Sequence, residues 1–142
     1  MKQIDSATLN QWYVIQSCTD LTQTRPRHTR LLGSDILAER LDDGGLSVWL
    51  LSATGEQMRQ LPVRECYDYV WTTMGAPEGE VFSMPEFYEE GRRMVVCGIA
   101  TVQTSPGRII ENFLDMSHFP FVHIDVLGAE PETEVNNYKV NL

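Results

Sequence analysis

The sequence predicts a mainly β protein with α+β character: an antiparallel sandwich or barrel in the first part, then a strand and a helix. Two observations predict this. Short apolar runs separated by Gly- and Asp-rich turns fill the first half, and convincing 3.6-residue periodicity is confined to residues 104–119.

The elements follow in chain order. "WYVIQ" (12–16) reads as an opening strand, and "RLLG" (30–33) and "DILAERL" (35–41) as two more, parted by Gly33-Ser34. "DDGG" (42–45) is a turn, because Gly tolerates positive φ and Asp bonds its own backbone. "LSVWLL" (46–51) is a further strand and "ATGEQ" (53–57) a further turn. "ECYDYVWTTMG" (65–75) alternates like one strand, with Tyr67, Tyr69, Trp71 and Thr73 on one face and Cys66, Asp68, Val70 and Met74 on the other. Trp12, Trp49 and Trp71 lie in these runs and read as core aromatics. "TRPRHTR" (24–30) reads as a solvated loop.

"GAPEGEVFSMPEF" (75–87) breaks the pattern and reads as a linker between residues 1–78 and 79–142. "RRMVVCGIATVQ" (92–103), apolar on both faces, predicts a central strand. "TSPGRIIENFLDMSHF" (104–119) predicts a helix capped by Ser105, with Pro106 at its first position. The tail after Gly128 is acidic and ends in a short alternating segment.

Twenty acidic against 11 basic side chains give a net charge of −9, which argues against nucleic acid and anionic membrane surfaces as partners. No apolar run reaches the roughly 20 residues that span a bilayer, and the first residues lack a secretory h-region, so the expected location is the cytoplasm. The cysteines at 18, 66 and 97 form neither a disulfide framework nor a CxxC knuckle. Cys66 and Cys97 read as small buried hydrophobes.

The chemistry concentrates in "ENFLDMSHFPFVH", Glu111 to His123. On one helix Glu111, Asp115 and His118 share a face, and a carboxylate one turn before a histidine is placed to hold its ring. His123 would swing off that face on a straight helix. Pro120, which lacks an N–H and collides with the Met116 carbonyl, predicts a kink or stop near Phe119 that returns His123 toward His118.

"ENFLDMSHFPFVHIDVLG" resembles the mononuclear iron motif of Rieske-type ring-hydroxylating oxygenases, E-N-x-x-D-x-x-H-x-x-x-x-H followed by Gly. "LPVRECYDYVWTTMG" resembles the strand pair that closes the Rieske domain, and "WYVIQSCTDL" and "RLLGSDILAERLDDG" its opening strands. The resemblance covers nearly the whole chain and is strongest over 61–75 and 108–128. It implies a Rieske-like antiparallel β-sandwich or barrel remnant followed by the first part of a helix-grip catalytic domain. It also implies His118 and His123 as ligands of a non-haem Fe(II), Asp115 as the acid through which an electron arrives, and Asn112 close to the metal.

Two departures shape the expectation. A Rieske cluster needs Cys-x-His and Cys-x-x-His, and no cysteine here is followed by histidine at either spacing. Residues 46–60 stand where the family places its cluster loops, so no [2Fe–2S] cluster is expected. The family's third iron ligand is an aspartate far downstream, whereas 19 residues follow His123 here. Asp125, Glu130, Glu132 and Glu134 are weak substitutes, so the resemblance implies the front part of a longer oxygenase or a reduced relative.

The expected function is therefore a terminal oxygenase component. It would hydroxylate or demethylate an aromatic or N-heterocyclic small molecule, with electrons from a Rieske or ferredoxin-type partner or a reductase, in a homo- or hetero-oligomer. The alternative is a non-catalytic scaffold subunit of such a system. A zinc hydrolase using the same histidines is a third reading, and no positioned general base favours it.

Overall fold

The structure, a computed structural model, describes residues 4–95, 100–131 and 133–134. It divides into two compact units, residues 1–99 and 100–142. Cys97, Glu132 and the alternating C-terminal segment lie outside the described residues.

The first unit opens with a short helix α1 (Ser6–Leu9), capped by the Asp5 side chain accepting the Thr8 N–H at 2.9 Å. Seven strands follow: β1 (Tyr13–Ser17), β2 (Arg27–Leu31), β3 (Ser34–Arg40), β4 (Leu46–Leu51), β5 (Gln57–Gln60), β6 (Val63–Cys66) and β7 (Tyr69–Thr72). They form two antiparallel sheets, ordered β1-β7-β6 and β2-β3-β4-β5. Mainly antiparallel β structure is thus the observed class, as the turn-punctuated sequence predicts.

The core lies where the sheets face each other. Ile15 and Val70 from one meet Leu31, Ile36, Ala38 and Val48 from the other, and Leu21 and Leu61 join them from the connections. The β3–β4 register pairs Ile36 with Leu50 and Ala38 with Val48, so the inward residues of both strands align in rows. β7 is the centre strand of its sheet, and Val70, Trp71 and Thr72 are all buried. The buried Thr72 hydroxyl donates to the Pro62 carbonyl at 2.7 Å, so burial leaves no orphaned polar group there.

Three sequence expectations need correction. Residues 65–75 are not one strand: Tyr67 and Asp68 both take positive φ (55° and 61°) and form the turn of a β6–β7 hairpin. The strand pair implied by the resemblance is the observed one. Residues 27–30 are not a loop but the body of β2, an edge strand whose Arg30 pairs with Asp35 across the hairpin at 3.0 Å. Of the three tryptophans, Trp71 alone is buried, while Trp12 and Trp49 are half-buried.

The segment after β7 lies against the sheets. Trp12 Nε1 donates to the Gly79 carbonyl at 2.8 Å. The Tyr67 hydroxyl donates to the Phe82 carbonyl and accepts from the Met84 N–H, each at 2.9 Å. Tyr67, Phe82, Phe87 and Tyr88 form a ring cluster around that anchor. The predicted strand at 92–103 is absent from its described residues, 92–95 and 100–103, and Met94, Val95 and Val102 are exposed. Apolar character on both faces identifies a central strand only where neighbouring strands flank it. Among the described residues of 100–134 there is no strand.

Cys66 ends β6 half-buried, and Cys18 is half-buried beside Glu65. Burial first, then the negative charge of Glu65, pushes the Cys18 thiol from its ordinary 9.0 up to about 11. A folded value above the unfolded one means its contribution to stability is complete below pH 9 and lost as pH rises through 11. Iodoacetamide labelling of Cys18, followed by mass spectrometry, should be slow at pH 8 and accelerate steeply toward pH 11. Labelling at pH 8 as fast as free cysteine would contradict this environment.

Candidate metal centre

The motif occupies the second unit. Helix α2 (Pro106–Leu114) begins as predicted: Ser105 is extended (φ −79°, ψ 151°), its hydroxyl accepts the Arg108 N–H at 3.4 Å, and Pro106 occupies the first turn. No residue of α2 is buried, and Phe113 is 77% exposed. Asn112 lines a groove on this helix with Val102, Arg108, Ile109 and Phe113.

The helix ends earlier than expected. Asp115 donates its N–H to the Glu111 carbonyl at 3.0 Å, then turns extended (φ −85°, ψ 96°). Its carboxylate accepts the Ser117 N–H at 2.9 Å. One residue thus closes α2 and caps the next element, a 3₁₀ turn at Met116–His118, because a short acidic side chain offers the backbone a local alternative to helix. A short helix α3 (Phe119–Val122) follows, with the buried Pro120 in its first turn. The break therefore falls at Asp115, and Pro120 starts a helix where a stop was expected. Glu111, Asp115 and His118 do not share one helical face: the Glu111 carboxylate reaches Arg108 at 2.7 Å.

The double break brings the histidines together. The His118 and His123 ring centroids lie 5.2 Å apart at 63°. Phe119 packs edgewise against both, 4.8 Å from the first and 6.0 Å from the second. His118 Nδ1 is 2.5 Å from the Asp115 main-chain carbonyl oxygen, and 3.9 Å from the carboxylate. A carbonyl only accepts, so Nδ1 is the donor in this bond, and in the neutral ring Nε2 is then the acceptor. The sequence pointed to the Asp115 side chain as the ring's holder; the main chain takes that part.

A mononuclear Fe(II) face asks for two neutral imidazoles and a carboxylate. His118 and His123 fit the imidazole part. Among the described residues no group of three or more His, Cys, Asp or Glu side chains is placed to hold a metal. Asp125 sits in a turn with φ +64°, and Glu130 and Glu134 are exposed. In the first unit, β4 passes into β5 through a turn closed by Ser52 N–H to the Glu56 carbonyl, 2.8 Å.

With this geometry in view, the likenesses to known proteins are informative. Residues 102–142 match the family described as vanillate O-demethylase oxygenase C-terminal domain. The structure of dicamba monooxygenase bound to dicamba superposes with a TM-score of 0.65 at 17% identity, over 82% of this chain and 48% of that one, which speaks for a shared fold. The chain is a relative of the Rieske-type oxygenases.

Within that class, the probable methylxanthine N7-demethylase NdmC of Pseudomonas sp. (strain TJI-51) is 41% identical over 138 residues, 97% of this chain and 47% of that protein. The chain spans about half the length of this curated relative. Oxidoreductase NdmD of Pseudomonas putida is 25% identical over 121 positions that take up 54% of this chain and 21% of NdmD. That relative therefore carries residues inside the matched stretch that this chain does not have.

Proposed function

We propose that the chain contributes two iron ligands, His118 and His123, to a terminal oxygenase component that oxidises an aromatic or N-heterocyclic small molecule, by N-demethylation in the first instance. The observation that carries this is the 5.2 Å approach of the two imidazoles, with His118 Nδ1 engaged by the Asp115 carbonyl. The 41% identity to a probable methylxanthine N7-demethylase favours demethylation over ring hydroxylation.

In this reading residues 1–78 are a Rieske-like β domain without cluster ligands, and residues 79–142 begin the catalytic domain. Ferrous iron, when bound, supplies the activation of dioxygen. His118 and His123 hold the metal as neutral donors, Phe119 packs edgewise against both rings, and Asn112 stands on the same motif one helix away. Electrons come from a Rieske or ferredoxin-type cluster or a reductase on another polypeptide, since this chain has no Cys-x-His pair. The extra residues that NdmD carries inside its matched stretch support a lobe present in that protein and missing here. The setting we assign is the cytoplasm; among the described residues no helix is long and apolar enough to cross a membrane.

Anaerobic loading with Fe(II) tests the proposal: about one ferrous ion per site should remain after desalting. Retention of none would replace it with the non-catalytic scaffold reading, which the two-ligand set among the described residues favours. Asp115→Asn separates two roles. Asparagine caps as aspartate does, and the ring's partner is a carbonyl, so metal affinity should stay near wild type. Turnover driven by an electron donor should fall if the carboxylate relays the electron. Loss of metal affinity in Asp115→Asn would show that the charge itself holds His118.

A further inference from the structure

We infer that Gly128 is a positioning residue for the histidine pair: lacking a Cβ, it rests directly on Pro120 and so holds the turn that presents His123 to His118. The inference rests on the metal reading above for its function, though not for its geometry.

A Cβ at Gly128 would stand 3.2 Å from both Pro120 Cα and Cβ and 3.4 Å from Pro120 N. Two of these are main-chain atoms and the third belongs to a rigid ring, so no rotamer change relieves the contact. Gly128 also has φ +152°, a conformation that residues with side chains rarely adopt.

The intervening turn depends on this contact. The His123 carbonyl accepts N–H groups from Val126 at 3.1 Å and Leu127 at 2.9 Å, and Asp125 N–H donates to the Gly128 carbonyl at 2.9 Å. Side-chain burial does little to hold the turn, since Ile124, Val126 and Leu127 are 55%, 79% and 52% exposed. What fixes it is the hydrogen-bond set and the seat of Gly128 on Pro120, the buried residue of α3. Pro120 lies two residues after His118 and three before His123, and two of the turn's three bonds end on the His123 carbonyl. A push between Gly128 and Pro120 therefore shifts one imidazole or the other by either route.

The test compares the full chain with Gly128→Ala and Gly107→Ala. Gly107 is a matched control in α2, where a Cβ meets nothing within 4 Å. Three readouts are needed: the NOE between His118 and His123 ring protons without metal, Co(II) affinity from visible absorption, and the amide shifts of residues 109–114 in α2. Gly128→Ala should lose the ring–ring NOE and bind Co(II) at least about tenfold more weakly, as losing an outer-shell support does. Its α2 amide shifts should stay in place, and Gly107→Ala should match wild type in the ring–ring NOE and in Co(II) affinity.

An unchanged NOE and Co(II) affinity in Gly128→Ala would overturn the inference. So would collapse of the α2 amide shifts, which would make Gly128 a general folding residue. A wild-type chain that shows the NOE and its loss in Gly128→Ala, yet binds no Co(II), would sink the metal reading and leave the positioning role standing.

Discussion

His118→Ala and His123→Ala are each expected to abolish retention of ferrous iron, while His28→Ala leaves it unchanged. The two imidazoles approach within 5.2 Å at a double break in the chain, and each provides one of the few donors on offer. Losing an outer-shell partner costs a metal site about 10- to 100-fold in affinity, so losing a ligand costs more than that. The double variant should be no weaker than either single one within detection, because a lone imidazole does not retain a ferrous ion. His28 lies on edge strand β2 in the other unit and serves as the control for simply removing a histidine. Metal analysis after anaerobic desalting checks all four proteins. Iron retained by either single variant would mean that the ring pair is a packed aromatic cluster with Phe119 and not a ligand pair.

What the sequence made legible depended on which local signals had a single reading. The β3–β4 hairpin was legible because Gly33 and the Asp-Gly run at 42–45 bound its first strand clearly, whereas most of β2 reads as a loop and β5 carries no strand signal. The β6–β7 hairpin was not legible from alternation. Its turn is Tyr67-Asp68, and a tyrosine at positive φ carries no compositional mark. β7 also buries both faces, so its apolar run cannot show which side is inward.

The same ambiguity explains the helix. Helical spacing puts the Asp115 side chain on a continuous face, yet its competing habit, bonding the N–H two residues on, ends the helix there. The convergence of His118 and His123 was expected, but from a kink at Pro120; the observed chain turns at Asp115 and starts α3 with that proline. In the sequence Gly128 stands only as the end of a motif. Its signal is visible only in three dimensions, where it meets Pro120.

Ile36→Ala should produce the largest loss of stability in the first unit. Ile36 is fully buried on β3, flanked by β2 and β4, and belongs to the cluster that joins both sheets. Truncating such a side chain removes transfer free energy and leaves a cavity, together about 2–5 kcal/mol. For a unit of this size about 1 kcal/mol shifts the melting temperature by roughly 4–8 °C, so a fall of at least about 8 °C is expected. Leu37→Ala is the internal comparison. It sits next in the chain, faces the opposite side opposite Trp49, and is half-buried, so its loss should be clearly smaller. Thermal melts of the two variants thus read the register of β3 directly. A one-residue slip exchanges the faces of every side chain on the strand. If Leu37→Ala cost as much as Ile36→Ala, the inward row of Ile36, Ala38 and Val48 would not be the core, and the two sheets would have to pack through their other faces.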